Sequence, residues 1–212
     1  MCSGRIDLGF VLRAFANGND GVFIGGCRLN ECNYVTHGNY DALAVTHIGR
    51  KLLARIGLDP ARLHIAFMSG GDGNLLVEAI NEFTKKVRAM GPIGAAEGVA
   101  TELLATRLEA ASRLVPFLRL VERERLRAPE KSEKAYAEFF ASAEIDALFD
   151  AVVGDRLAMS EILLLLGAQP LSAAEIAQTL RLSPSVVSKH MNASSRHGLV
   201  RYDVERKRYS LA

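Results

Sequence analysis

Apolar residues recur at helical spacing through most of the chain and bunch into short continuous runs at only two places in its first ninety residues. Residues 7–16 set Leu8, Val11, Leu12 and Phe15 on one face, the period of a helix. Asn17-Gly18-Asn19-Asp20 ends it. Gly21-Val22-Phe23-Ile24 is a continuous apolar run and reads as a buried strand. Residues 40–56 predict a second helix with Leu43, Ile48, Leu52 and Leu53 inward, capped by Gly57 and followed by an Asp59-Pro60 turn. Residues 63–68 predict a second strand. Ser69-Gly70-Gly71-Asp72-Gly73 then crosses tightly into a third helix, 74–90. Strands alternating with helices imply parallel β-α-β units, an α/β fold that binds ligands at the carboxyl ends of its strands. Two strands make a thin layer, because a parallel sheet covers both its faces. The expectation is an incomplete parallel sheet, completed by another chain or by residues ahead of Met1.

Gly91-Pro92-Ile93-Gly94 marks a boundary. Beyond it, residues 97–127 predict one long helix kinked near Pro116, whose charged end, 119–127, reads as a solvated face. Residues 132–153 predict another helix, with Tyr136, Phe139, Phe140, Leu148 and Phe149 as packing anchors. The character changes near residue 155. An apolar helix at 160–166 is followed by Ser172-Ala173-Ala174-Glu175, a capping box opening a helix to Leu180. Ser183 and Pro184 supply the N-cap and first position of the next helix, which Gly198 stops. Residues 199–202 and 208–211 predict a hairpin around a charged turn. Three helices and a hairpin form a winged helix-turn-helix. The chain therefore divides into an α/β domain at 1–94, a helical region at 95–154 and the winged helix at 155–212.

Composition adds two constraints. The 212 residues carry a formal net charge of +2, so bulk charge points to no partner, although the C-terminal end is basic. No apolar run approaches the ~20 residues of a membrane span, and the opening residues do not read as a signal peptide. The three cysteines, Cys2, Cys27 and Cys32, are an odd, clustered set that fits a reducing cytoplasm better than a disulfide framework.

Cys27 and Cys32 sit in a loop after the first strand, and Cys2 precedes the first helix near the same sheet edge. The C-x4-C spacing occurs in iron–sulfur proteins. An all-cysteine two-iron cluster or zinc site needs four thiolates, whereas a zinc site of three cysteines and one histidine would recruit His37. Inert buried thiols are the plain alternative. No histidine and carboxylate group themselves around a cysteine as nucleophilic catalysis requires. The loop at 70–73 suits either a phosphate at a helix start or a tight turn, and it lacks the dinucleotide and Walker patterns. In the winged helix, Ser185, Ser188 and Lys189 would face a major groove and Arg201, Arg206, Lys207 and Arg208 would meet phosphates. The same module also serves elsewhere as a protein-docking unit.

Cys2-Ser3-Gly4-Arg5, Gly21 to Gly26, Cys27-Arg28-Leu29-Asn30-Glu31-Cys32-Asn33-Tyr34 and Gly38-Asn39-Tyr40 together resemble the methyl-viologen-reducing hydrogenase delta subunit. Leu58-Asp59-Pro60-Ala61-Arg62-Leu63 and Asn81-Glu82-Phe83 extend the likeness over residues 1–94. The resemblance implies a 2Fe–2S cluster with Cys2, Cys27 and Cys32 as ligands. It also implies electron relay between a nickel–iron hydrogenase or other donor and the flavin subunit of a heterodisulfide-reductase-like complex. Members of that family carry a further cysteine pair ahead of the position of Cys2. The expectation is thus an amino-truncated reading of a longer gene, for instance at an in-frame selenocysteine codon, or a separate polypeptide that supplies the strand and the fourth ligand. The last sixty residues resemble arsenic-repressor-type winged helices without their metal-sensing cysteine motif. The leading expectation is an electron-transfer subunit without a substrate-converting site, and the rival is a redox-responsive winged-helix transcription regulator.

Overall fold

The computed structural model describes residues 2–34 and 38–212. A 3-10 turn, Ser3–Arg5, leads into α1 (Leu8–Ala16), whose first free N–H groups are capped by Asp7. β1 (Val22–Gly26) pairs in parallel with β2 (Leu63–Phe67), in register from Val22 against Leu63 to Gly26 against Phe67. Between them runs α2 (Asn39–Arg55), and α3 (Gly73–Met90) follows. Among the described residues the sheet has these two strands only, the thin parallel α/β layer that the two apolar runs predict. α1 and α2 bury Leu12, Phe15, Leu52 and Leu53 almost completely beneath it.

Arg62 fixes the end of this layer. Its side chain is 0% exposed, at the start of β2. The guanidinium donates to Glu97 Oε1 at 2.5 Å, to the carbonyls of Asp20 and Gly91 at 2.8 and 3.0 Å, and to that of Pro92 at 3.4 Å. Glu97 also accepts from the N–H groups of Asp59 and Gly94. One ion pair therefore joins the α1–β1 loop, the start of β2 and the turn after α3. It also explains why the long helix starts later than its apolar pattern suggests. Glu97 is committed to Arg62, Gly94 and Gly98 take left-handed backbone, and α4 runs Thr101–Arg125.

α4 carries Pro116 inside it and packs against α1 and against α7 (Asp155–Ala168). The expected single helix at 132–153 is instead α5 (Glu133–Ala141) and α6 (Ala143–Phe149). Ser142 takes an extended conformation between them and caps α6 through its hydroxyl, a local bond that competes with helix continuation. A π turn, Asp150–Gly154, runs into α7 (Asp155–Ala168), longer than the predicted apolar helix. α8 (Ala173–Leu180) opens with the predicted capping box. α9 (Pro184–Arg196) opens with Ser183 as N-cap and Pro184 first. β3 (Val200–Asp203) and β4 (Arg208–Leu211) form the wing, which the segment between α7 and α8 meets through the Leu171–Tyr209 bridge.

The helical half is fastened to α2. Lys51 pairs with Asp146, Arg55 pairs with Asp150, and His47 stacks on Phe140 at 4.9 Å. Arg107 of α4 donates to the carbonyls of Ile56 and Leu180, and Glu161 of α7 lies buried 3.9 Å from it.

Arg62→Met should cost about 3 kcal/mol in urea unfolding, because the half-buried Glu97 carboxylate loses its charge partner and the carbonyls of Asp20, Gly91 and Pro92 lose their donor. Burial opposes ionisation of Glu97, but the Arg62 hydrogen bond and charge outweigh it and hold its carboxyl below the usual range. A depressed carboxyl contributes stability above its unfolded pKa and loses it as pH falls through the folded one. The wild type should therefore lose stability more steeply on acidification than Arg62→Met does, and parallel acid curves would contradict the assignment.

Candidate functional site

The three cysteines meet at the carboxyl end of the two strands. Cys2 enters from the 3-10 turn, Cys27 leaves the end of β1, and Cys32 lies in the loop before α2. Cys2 Sγ and Cys32 Sγ are 3.8 Å apart, and the Cys27 thiol neighbours Cys32. Two thiolates held tetrahedrally at about 2.3 Å on one metal stand about 3.8 Å apart, so this pair already has the spacing of two ligands on one ion. The pair and the third thiol do not converge as a three-ligand site for a single ion, and no other group of three His, Cys, Asp or Glu among the described residues does. A two-iron cluster takes its ligands in pairs, one pair per iron. A close pair with a third thiol alongside is a partial set of that kind. His37, the candidate fourth ligand of a zinc site, lies outside the described residues.

Each sulfur receives N–H groups. Gly4 N donates to Cys2 Sγ at 3.4 Å, and Asn39 Nδ2 approaches Cys27 Sγ at 3.7 Å. The backbone N–H of Tyr34, and then that of Asn39, lower the Cys32 thiol below its ordinary value against the opposing effect of burial. Cys32 thereby gains the N-terminal end of α2, where a thiolate is favoured. Burial, followed by the neighbouring Cys32, pushes the Cys27 thiol up. Donors around sulfur are also what stabilise a cluster and set its potential.

The side chain that gathers the loop is Asn39, buried at 2% exposure. Its amide donates to the carbonyls of Cys27 and Arg28 at 2.9 and 2.7 Å. Tyr40 shares its hydroxyl between Asn30 Oδ1 and the carbonyl of Lys131, at 3.0 and 2.7 Å. Asn30 itself holds the left-handed φ of 71°. Gly38 and Gly4 face each other where no Cβ fits. A Cβ on Gly38 would stand 2.5 Å from Cys32 Sγ, and one on Gly4 would stand 2.5 Å from the Gly38 carbonyl. Asn39, Gly38 and Gly4 were not named as site residues from sequence. The available signal was a Gly-Asn pair just before a helix that starts beside a cysteine loop.

Arg28 pairs with Asp72 at 2.5 Å, and Asp72 accepts from the Ser69 N–H at 2.8 Å. The glycine-rich crossing is thereby tied to the cysteine loop by a carboxylate that makes no cap bond to the start of α3. A cleft of about 690 Å³ opens behind the 3-10 turn, between α1, α2 and α4. Glu122 in its wall has its carboxyl raised to about 7, chiefly by burial. The cysteines do not line it.

In the winged helix, Ser185 and Ser188 are exposed on α9. Lys189 reaches Asp155 at 2.5 Å, Arg208 reaches Glu175 at 2.7 Å and Arg206 reaches Asp203 at 3.9 Å. Arg201 donates to the Ser210 hydroxyl, and Lys207 holds the hairpin turn at a φ of 52°. Three of the basic residues considered for nucleic acid are thus matched to carboxylates of the chain itself, while Tyr202 and Val204 stand exposed on the wing.

A family model for the methyl-viologen-reducing hydrogenase delta subunit matches residues 1–91. The F420-non-reducing hydrogenase iron-sulfur subunit of Archaeoglobus profundus is 41% identical over 91 residues, 43% of this chain and 66% of that one. The vhu iron-sulfur subunit of the F420-non-reducing hydrogenase of Methanopyrus kandleri is 33% identical over 92 residues, covering 43% and 69%. The chain belongs to the methyl-viologen-reducing hydrogenase delta subunit family. The delta-type stretch is also similar to part of a ferredoxin/F(420)H(2)-dependent CoB-CoM heterodisulfide reductase polypeptide of Methanosarcina acetivorans, at 45% identity over 94 residues. There the match spans 44% of this chain and 12% of a much longer protein. A helix-turn-helix domain model matches residues 159–203, so this delta-family chain also carries a helix-turn-helix module.

Gly38→Ala should shift the loop and open the Cys2–Cys32 pair. Cross-linking of the two thiols by a short bifunctional mercurial, read by mass spectrometry, should fall severalfold relative to wild type, with little change in circular dichroism. Unchanged cross-linking would show that the pair does not depend on the close approach at Gly38.

Proposed function

We propose that this delta-family protein is an electron-transfer iron–sulfur subunit whose Cys2, Cys27 and Cys32 hold a 2Fe–2S cluster with a fourth ligand from outside these three. The observation that carries this reading is the 3.8 Å thiol pair with Cys27 beside it, each sulfur facing N–H groups at the sheet's carboxyl edge. When bound, a 2Fe–2S cluster supplies one-electron transfer at a potential set by its surroundings. The chain's own part is to hold the three sulfurs. Gly4, Tyr34 and Asn39 offset negative charge there, and Asn39 and Arg28 keep the loop from rearranging.

The relatives support a place in a larger assembly. Relatives named as subunits of hydrogenases and of heterodisulfide reductases share this stretch. In Methanosarcina acetivorans it is built into a heterodisulfide reductase polypeptide itself. The partners proposed here are a heterodisulfide-reductase-like flavin protein as acceptor and a nickel–iron hydrogenase as donor, in the cytoplasm. The helix-turn-helix module is read as a docking element of that assembly. Its internally paired Lys189, Arg206 and Arg208 leave the groove-facing surface less basic than its composition suggests, which weighs against the rival redox-responsive regulator.

Rapid mixing tests the proposal. Protein reconstituted with iron and sulfide and reduced anaerobically should pass electrons to the flavin of a heterodisulfide reductase, with the two absorbance changes at matching rates. Cys32→Ser should abolish both. Absence of transfer from a fully reduced protein would overturn the relay. Tight, sequence-specific, salt-dependent DNA binding that changes on reduction would instead support the regulator.

A further inference from the structure

Cys2 Sγ and Cys32 Sγ stand 3.8 Å apart, and Cys2, Cys27 and Cys32 are all half-buried thiols that a small oxidant can reach. A disulfide is about 2.05 Å long and needs its two Cβ atoms about 3.5–4.5 Å apart, so the two backbones must already be neighbours. Here two glycines make them so. Cys2 caps the 3-10 turn and takes the Gly4 N–H on its sulfur at 3.4 Å. Gly4 meets Gly38, whose carbonyl would stand 2.5 Å from a Cβ added to Gly4. Gly38 in turn lies against Cys32, whose Sγ and Cβ would be 2.5 and 3.4 Å from a Cβ added there. Closing the Cys2–Cys32 bond shortens the present sulfur separation by about 1.8 Å.

Cys27 is held differently. It follows directly on β1, whose register with β2 runs through Gly26. Its carbonyl accepts from the buried Asn39 amide at 2.9 Å, and its sulfur faces that amide at 3.7 Å. The three thiols therefore divide into a close pair carried by two separate segments and a third fastened to the sheet.

We propose that Cys2 and Cys32 form a reversible disulfide in the metal-free chain, a modification that leaves Cys27 reduced and withdraws two of the three thiols from the site. The oxidant is hydrogen peroxide. One sulfur of the pair attacks a peroxide oxygen, the O–O bond breaks, and the thiol proton leaves in a molecule of water, giving a sulfenic acid. The second thiol attacks that sulfur, the S–S bond forms, and the sulfenic oxygen leaves as a second water. Two thiols lose two electrons and one peroxide becomes two waters. A dithiol reopens the bond through a mixed disulfide. Thiolates are the metal ligands, so the oxidised chain is closed to thiophilic metals until it is reduced. The modification stands on the thiol geometry and does not rest on the electron-transfer reading.

Tryptic mapping of the full metal-free chain tests it. Cleavage after Arg5, Arg13, Arg28 and Arg50 puts Cys2, Cys27 and Cys32 on separate peptides, 1–5, 14–28 and 29–50. One equivalent of peroxide under anaerobic conditions, followed by alkylation, should join peptide 1–5 to 29–50 and leave Cys27 alone alkylated. Dithiothreitol should restore alkylation of Cys2 and Cys32. Cadmium(II) added alone should give its thiolate-to-metal ultraviolet absorption with the reduced chain and lose most of it with the oxidised one. Cys27→Ser should form the same link at wild-type yield. Gly38→Ala, folded by circular dichroism, should lower that yield severalfold. A link between 14–28 and 29–50, sulfinic acid on separate cysteines, a link between two chains, or three thiols surviving the oxidant would overturn the proposal. Failure of the chain to take up iron and sulfide would leave this link in place, so the two readings fail separately.

Discussion

The side-chain amide of Asn39 is the constraint from which the site follows. It is buried, and both of its N–H donors end on main-chain carbonyls of the cysteine loop, at Cys27 and Arg28. Displacing the loop would leave the buried Asn39 amide unsatisfied, at a cost of about 1–3 kcal/mol. The loop's own described backbone closes through a turn bond from the Glu31 N–H to the Arg28 carbonyl, and the Arg28–Asp72 pair and the Tyr40–Asn30 bond hold it from outside. Asn39 is also the first residue of α2, so the bond that fixes the loop places Cys32 at that helix's positive end. Cys2 then needs only the close meeting of Gly4 and Gly38 to arrive 3.8 Å away.

Rigidity at this edge comes from behind. Arg62 and Glu97 pin the opposite end of the layer, and α2 is held against α5 and α6 by two ion pairs and a ring stack. α4 packs against α1 and against α7, and Arg107 joins the end of α2 to the end of α8. The helix-turn-helix module therefore packs against the delta-type layer through a shared core. A group that exchanges electrons gains from such backing, because ligands that do not move between redox states add little reorganisation.

The elements of regular periodicity were legible in the sequence. Both strands, α1 to α3, the capping box at Ser172 and the Ser183-Pro184 start of α9 stand where apolar spacing and cap residues placed them. The thin sheet was legible too, because two apolar runs cannot form a covered parallel layer. Periodicity carried no sign that Ser142 would stop a helix with its own hydroxyl, or that Glu97 would be drawn from a helix by a distant arginine. Both are choices between a local bond and helix continuation that tertiary contacts decide. At the site the cysteines were visible as residue types, but the amide and the two glycines that bring them together were not. Their roles depend on two backbones 34 residues apart in sequence touching at Gly4 and Gly38. The pairing of Lys189, Arg206 and Arg208 with carboxylates was equally hidden, since charge counted along a sequence does not show which groups neutralise each other in space.

The central claim, that Cys2, Cys27 and Cys32 hold a two-iron cluster, is tested most directly by counting iron and acid-labile sulfide after anaerobic reconstitution. An added small thiol supplies the fourth ligand, and paramagnetic resonance follows on the dithionite-reduced protein. About two irons and two sulfides per chain are expected, with one unpaired electron per cluster on reduction and loss of all three signals in Cys27→Ser. A single tightly held zinc or iron without sulfide, or full iron and sulfide content retained in Cys27→Ser, would contradict it.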